Sequence, residues 1–116
     1  MIMNYKQEIQ YLMKRKDHTF YNELDKLKWQ LTQTLYHLKD KCYNKKNPFY
    51  KYFGKKEIEV CPEWKNDFNS FFGWALNNNY IIGMCIHRLN IHKDYSPENC
   101  IICTQERHEA MREESN

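Results

Sequence analysis

Between residues 3 and 41 the chain contains neither proline nor glycine, and within that span Leu24, Leu27, Leu31, Leu35 and Leu38 recur at steps of three and four. That spacing gathers all five leucines on one stripe of an α-helix but would scatter them over both faces of a strand, so it commits this part of the chain to helix. Upstream, Ile9, Leu12 and Met13 repeat the pattern more briefly, and the polar run from Lys16 to His18 divides the span into two helices. Thr19, with Asn22 three residues on, is expected to cap the second. A leucine stripe of this kind serves either as core or as a docking face for a partner.

The helix should stop between Cys42 and Asn47, because Asn44 and the Asn47-Pro48 pair are breakers. Beyond it, Glu57-Ile58-Glu59-Val60 alternates like a short strand and ends at Pro62. Trp64, Phe68, Phe71, Phe72 and Ala75 carry helical spacing from Glu63 to Asn77. The apolar run Tyr80 to Ile86 suits a buried strand, His87 to Pro97 a polar loop, and Ser96-Pro97-Glu98-Asn99 the start of a last helix that continues through Glu106–Glu114 as a charged end. The pattern implies an α+β domain with little sheet. With 116 residues there is room for one such domain, and an aromatic content of 16% supplies the area for its core. Three glycines and three prolines leave no scope for repeats or linkers. No stretch approaches the ~20 apolar residues of a membrane span, and Met1–Lys16 lacks the apolar centre of a signal peptide. A cytoplasmic setting without membrane contact is therefore expected.

The net charge of +3 is unevenly placed: residues 1–60 carry 13 Lys/Arg against 7 Asp/Glu, and residues 61–116 carry 5 against 8. The basic excess is densest from Lys39 to Lys56, where seven lysines face one acid, Asp40. Aromatic residues are interleaved there. Lys41, Lys45, Lys46, Lys51, Lys55 and Lys56 are candidates for neutralising phosphates, with Tyr50 and Tyr52 beside them for contact with sugar or base; the same lysines would otherwise form a solvated face. DNA is the expected polyanion.

Several segments together carry a resemblance. They are Lys41-Cys42-Tyr43-Asn44, the run Tyr52-Phe53-Gly54-Lys55-Lys56-Glu57-Ile58-Glu59-Val60-Cys61-Pro62-Glu63-Trp64, the spaced aromatics Phe68, Phe71, Trp74 and Tyr80, and finally Ile86-His87-Arg88-Leu89-Asn90 followed by Tyr95-Ser96-Pro97-Glu98-Asn99-Cys100. Their order and content resemble the phage-type HNH, or ββα-metal (His-Me finger), endonuclease-like proteins, with Tyr-Ser-Pro-Glu-Asn-Cys the most specific piece. The resemblance implies a small HNH-like ββα-metal unit over residues 39–116, with residues 1–38 as an N-terminal helical extension. It also implies metal-dependent cleavage of DNA, in which a divalent ion such as Mg²⁺ or Mn²⁺ sits against the scissile phosphate and a base activates water.

Carried onto this chain, the resemblance places His87 and Asn99 at the metal and Arg88 where the catalytic relatives have their base. Arg88 cannot be that base, being permanently charged, but it can stabilise charge developing on the phosphate. His92, whose ordinary pKa lies near 6.5, is then the candidate base from the loop. His87 is itself a departure, since the family usually has an aspartate there, and imidazole suits Mg²⁺ less well than a carboxylate does. That departure keeps a second reading open: a catalytically degenerate descendant that binds a host defence nuclease as an inhibitor, in the manner of an anti-CRISPR protein. Its protein partner would dock on an exposed helical face around Leu24–Leu38.

Five cysteines, at 42, 61, 85, 100 and 103, are too odd in number for a disulfide framework. Cys100 and Cys103 have the C-x₂-C spacing of a zinc chelate, and Cys42 with Cys61 could complete a structural Zn²⁺ site; the alternative is that they are buried as small apolar groups.

Overall fold

Asn22 has extended backbone, and its side chain accepts a hydrogen bond from the Asp25 N–H at 2.9 Å. It caps α1, Glu23–Tyr43, so the helix opens at Asn22 rather than at Thr19. The computed structural model describes residues 22–114; the helical reading of residues 3–21 and the division at Lys16–His18 lie outside them. Leu31, Leu35 and Leu38 are buried, Leu27 is partly so, and Leu24 is exposed. The stripe is core, which overturns the expectation of an exposed docking face along Leu24–Leu38. Asp40 closes the helix, its carboxylate accepting from the side-chain amides of Asn44 at 3.0 Å and Asn47 at 2.6 Å.

Two 3₁₀ turns, Tyr50–Tyr52 and Gly54–Lys56, then fold the basic segment against the end of α1. Gly54 fits there because any Cβ would collide with the Cys42 carbonyl oxygen and the Tyr50 ring. Glu57 adopts a left-handed φ of 64°, and the strand expected over Glu57–Val60 is reduced to one parallel bridge between Val60 and Tyr95. Around it Tyr95 N–H donates to Glu59 C=O and Cys61 N–H to Tyr95 C=O, both at 2.9 Å.

The single helix expected over Glu63–Asn77 is two, α2 (Pro62–Asn66) and α3 (Phe68–Asn77). Asp67 divides them, accepting from the Asn69 N–H at 3.0 Å and the Ser70 hydroxyl at 3.2 Å, because its short carboxylate is better satisfied as a cap than inside a helix. The left-handed turn at Gly83 (φ 100°) delays the next strand, so β1 is Cys85–Arg88. The segment expected to open a helix at Ser96–Asn99 leads instead into β2, Cys100–Cys103, whose Ile-Ile centre favours a pleated strand. β1 and β2 pair antiparallel with Cys85 opposite Cys103 and Arg88 opposite Cys100, and α4 follows over Gln105–Glu114.

The chain is thus α+β, ending in a strand–strand–helix order. One core joins Leu31, Leu35 and Leu38 to Val60, Trp64, Phe71, Ala75 and Tyr95, with the Trp64 ring 5.1 Å from Phe71 and 4.7 Å from Trp74. No helix among the described residues is long and apolar enough to cross a membrane.

Candidate functional site

Side chains alternate along the hairpin, so Cys85, His87, Ile101 and Cys103 share one face and Ile86, Arg88, Cys100 and Ile102 the other. α4 meets the first face through His108. Its Nδ1 lies 3.0 Å from Nδ1 of His87, and the rings meet edge to face with centroids 5.1 Å apart. His87 is 6% exposed and His108 half-buried. Two Nδ1 atoms at this distance share one proton: one ring donates and the other accepts, which requires at least one neutral imidazole. Burial pushes both pKa values below the ordinary imidazole value, Arg88 and Arg107 add to this at His87, and His87 itself, Arg112 and Lys41 add to it at His108 against Glu109. Beside the pair the Cys85 thiol donates to Gln105 Oε1 at 2.7 Å.

Neutral imidazoles are metal ligands, and adjacent nitrogens on a tetrahedral ion held at ~2.1 Å lie about 3.4 Å apart, so the two rings, now 3.0 Å apart, would have to part slightly to hold one. Nitrogen donors of this kind suit Zn²⁺ and its transition-metal neighbours better than Mg²⁺ or Mn²⁺. The chain's contribution stops at two, since among the described residues no three His, Cys, Asp or Glu side chains gather in a metal-holding group.

The opposite face is built around Arg88. Its guanidinium donates to the carbonyls of Ile91 at 2.8 Å and Lys93 at 2.9 Å, and lies 5.0 Å from the ring centres of both Phe53 and Tyr95. Lys41 joins this knot, donating to the Tyr95 hydroxyl at 3.1 Å with its ammonium 4.4 Å from the Phe53 ring centre. Its pKa is lowered first by burial. Arg88 therefore holds the loop after β1, and Lys41 sits among aromatic rings rather than on the lysine surface.

Asn99, placed at the metal by the resemblance, is committed elsewhere. Its Oδ1 accepts from the Asn90 N–H at 2.9 Å, and its Nδ2 donates to the Asn90 and Asp94 carbonyls, both at 3.0 Å. Each polar atom of the carboxamide is used in bracing the loop over residues 89–99. His92 is exposed and lines a cavity of about 520 Å³ with Asn90, Asp94, Glu98 and Cys61, a lining that includes neither His87 nor His108. Of the four proposed site residues His87 alone meets the imidazole pair.

Five of the six lysines form a surface: Lys45, Lys46, Lys51, Lys55 and Lys56 are all exposed. Tyr52 stands among them, 53% exposed, with the Lys51 ammonium 5.1 Å from its ring centre, whereas Tyr50 is half-buried against Gly54.

The cysteines do not converge. Cys100 and Cys103, three apart in one strand, face opposite sides of the hairpin. Cys61 and Cys100 are electrostatic neighbours, and Cys103 is likewise a neighbour of Cys85. Cys42, Cys61, Cys85, Cys100 and Cys103 are free thiols, and burial pushes those of Cys42, Cys61 and Cys100 up to about 11.

His108 is the member of the imidazole pair that sequence reasoning missed. Among the described side chains of residues 105–112 only His108 and Met111 are turned inward, and their three-residue spacing was the available signal. Compared with protein-family models, with curated proteins and with solved structures, the chain matches none of them.

Proposed function

We propose that the chain is an HNH-like, metal-dependent DNA endonuclease whose divalent ion is held by His87 and His108. The observation that carries the proposal is the part-buried Nδ1–Nδ1 approach of 3.0 Å at the junction of β1 and α4. It is supported by the strand–strand–helix order, by the loop that Asn99 and Arg88 brace from its two ends, and by the cations Arg88, Arg107, Arg112 and Lys41 acting on the imidazoles. Those cations oppose a bare metal ion but favour one that arrives with phosphate; with burial first they disfavour imidazolium at both rings, and an ion binding both nitrogens would displace the proton they share. When bound, the ion supplies Lewis-acid polarisation of the phosphate and an acidified water. The chain's own residues supply the two nitrogens, a rigid loop beside them and a lysine surface that holds the DNA backbone.

This reading replaces Asn99 by His108 at the metal, and Mg²⁺ or Mn²⁺ by Zn²⁺, Ni²⁺ or Co²⁺. The inhibitor reading is left without the exposed leucine face on which it relied.

Nicking of supercoiled plasmid tests the proposal, with each of these ions against EDTA. Native protein should nick with transition metals, and His108→Ala should lower the rate by about two orders of magnitude or more. Equal nicking by both proteins, or none by either across the ions, would overturn it.

A further inference from the structure

We infer that the basic aromatic turn binds single-stranded rather than duplex DNA. The inference rests on the nucleic-acid reading above and narrows its substrate class. Phe49 and Tyr52 are 56% and 53% exposed, although rings of this size are ordinarily drawn into a core. The Tyr52 N–H donates to the Phe49 carbonyl at 2.9 Å, closing a turn with the three-residue period of a 3₁₀ helix. Residues i and i+3 eclipse in that geometry, so Phe49 and Tyr52 stand on one side of the turn. Tyr50, between them, is turned inward against Gly54.

Charge complementarity identifies the occupant. Lys45, Lys46, Lys51, Lys55 and Lys56, all exposed, lie within the turn and on both sides of it in sequence, and the one acid of the segment, Asp40, has its carboxylate engaged by Asn44 and Asn47. Lysines alone suffice for a duplex, which presents phosphates outside and only base edges in its grooves. Exposed ring faces add affinity only where bases are unstacked and can lie flat on them, and such stacking is indifferent to sequence. A single-stranded stretch, such as an unpaired end or gap, offers both phosphates and base faces.

Fluorescence anisotropy on the full chain in EDTA tests this, using a labelled mixed-sequence strand of about 15 nucleotides and its blunt duplex over a salt series. The single strand should bind about ten-fold or more tightly than the duplex. Phe49→Ala/Tyr52→Ala should lower single-strand affinity by about ten-fold or more and leave the salt slope unchanged. Lys55→Ala/Lys56→Ala should instead reduce that slope by about 1.4. Because all four side chains are exposed, the variants are expected to keep the native melting profile, which is checked alongside. Duplex binding as tight as single-strand binding overturns the inference and leaves the DNA reading standing, as does an aromatic variant that binds the strand like native protein. Failure to bind either nucleic acid overturns both.

Discussion

Asn99 separates two accounts of the C-terminal unit. A residue that ligates a metal through its side-chain oxygen would tolerate aspartate, a harder and better ligand. A residue whose Nδ2 donates to the carbonyls of Asn90 and Asp94 would not, because aspartate offers an acceptor to two acceptors in a buried site. Asn99→Asp should therefore destabilise the fold by about 2–4 kcal/mol, and by more than Asn99→Ala, in urea denaturation monitored by tryptophan fluorescence. Tolerance of aspartate with tighter metal binding would contradict the bracing role. The imidazole pair gives a second prediction at this scale. The pKa values of His87 and His108 are lowered in the folded chain, so the pair's contribution is present in full above the ordinary imidazole value and is lost as pH falls through the folded values. The urea midpoint should drop between pH 7 and pH 5, and His108→Phe should flatten that drop; an equally steep drop in the variant would place the titrating group elsewhere.

Among the elements, those that follow from local periodicity were legible. The leucine spacing located α1 and its buried face, and the aromatic spacing located the helical region from residue 62 to residue 77. What was not legible depends on contacts distant in sequence. Glu57–Val60 alternates like a strand, yet its partner is a single residue of a distant loop, Tyr95, and the left-handed Glu57 prevents a longer ladder. Cys100–Cys103 was hidden behind Ser-Pro-Glu-Asn, a good helix start that is followed instead by the hairpin partner of Cys85–Arg88. Gly54 belongs to this scale as well, for it lets the second 3₁₀ turn approach the end of α1. Gly54→Ala should cost about 2–4 kcal/mol in the same denaturation measurement, because the Cys42 carbonyl that its Cβ would meet is backbone and cannot swing aside. A cost below about 0.5 kcal/mol would show that the turn and α1 are not in this contact.

For the molecule as a whole, the sequence separates the charge and the structure puts the two parts to different uses. Five exposed lysines form one surface, while Arg88 and Lys41 are withdrawn into a knot with Phe53 and Tyr95. Composition cannot distinguish these fates, since every lysine of residues 39–56 reads alike until the fold draws Lys39 and Lys41 partly inward. The same holds for the site. His87 was legible through its motif, but His108 reaches it across the turn from β2 to α4, and the pairing of two rings 21 residues apart has no local signature.

The central claim is that this pair of rings is a metal site, and proton NMR of the histidine side chains during Zn²⁺ titration tests it most directly. The account predicts that the His87 and His108 ring signals move together and saturate at one equivalent, while those of His37 and His92 stay in place, and that His108→Ala abolishes the response of His87. Saturation at the cysteines with the His87 and His108 signals unmoved, or no saturable response at all, would contradict it.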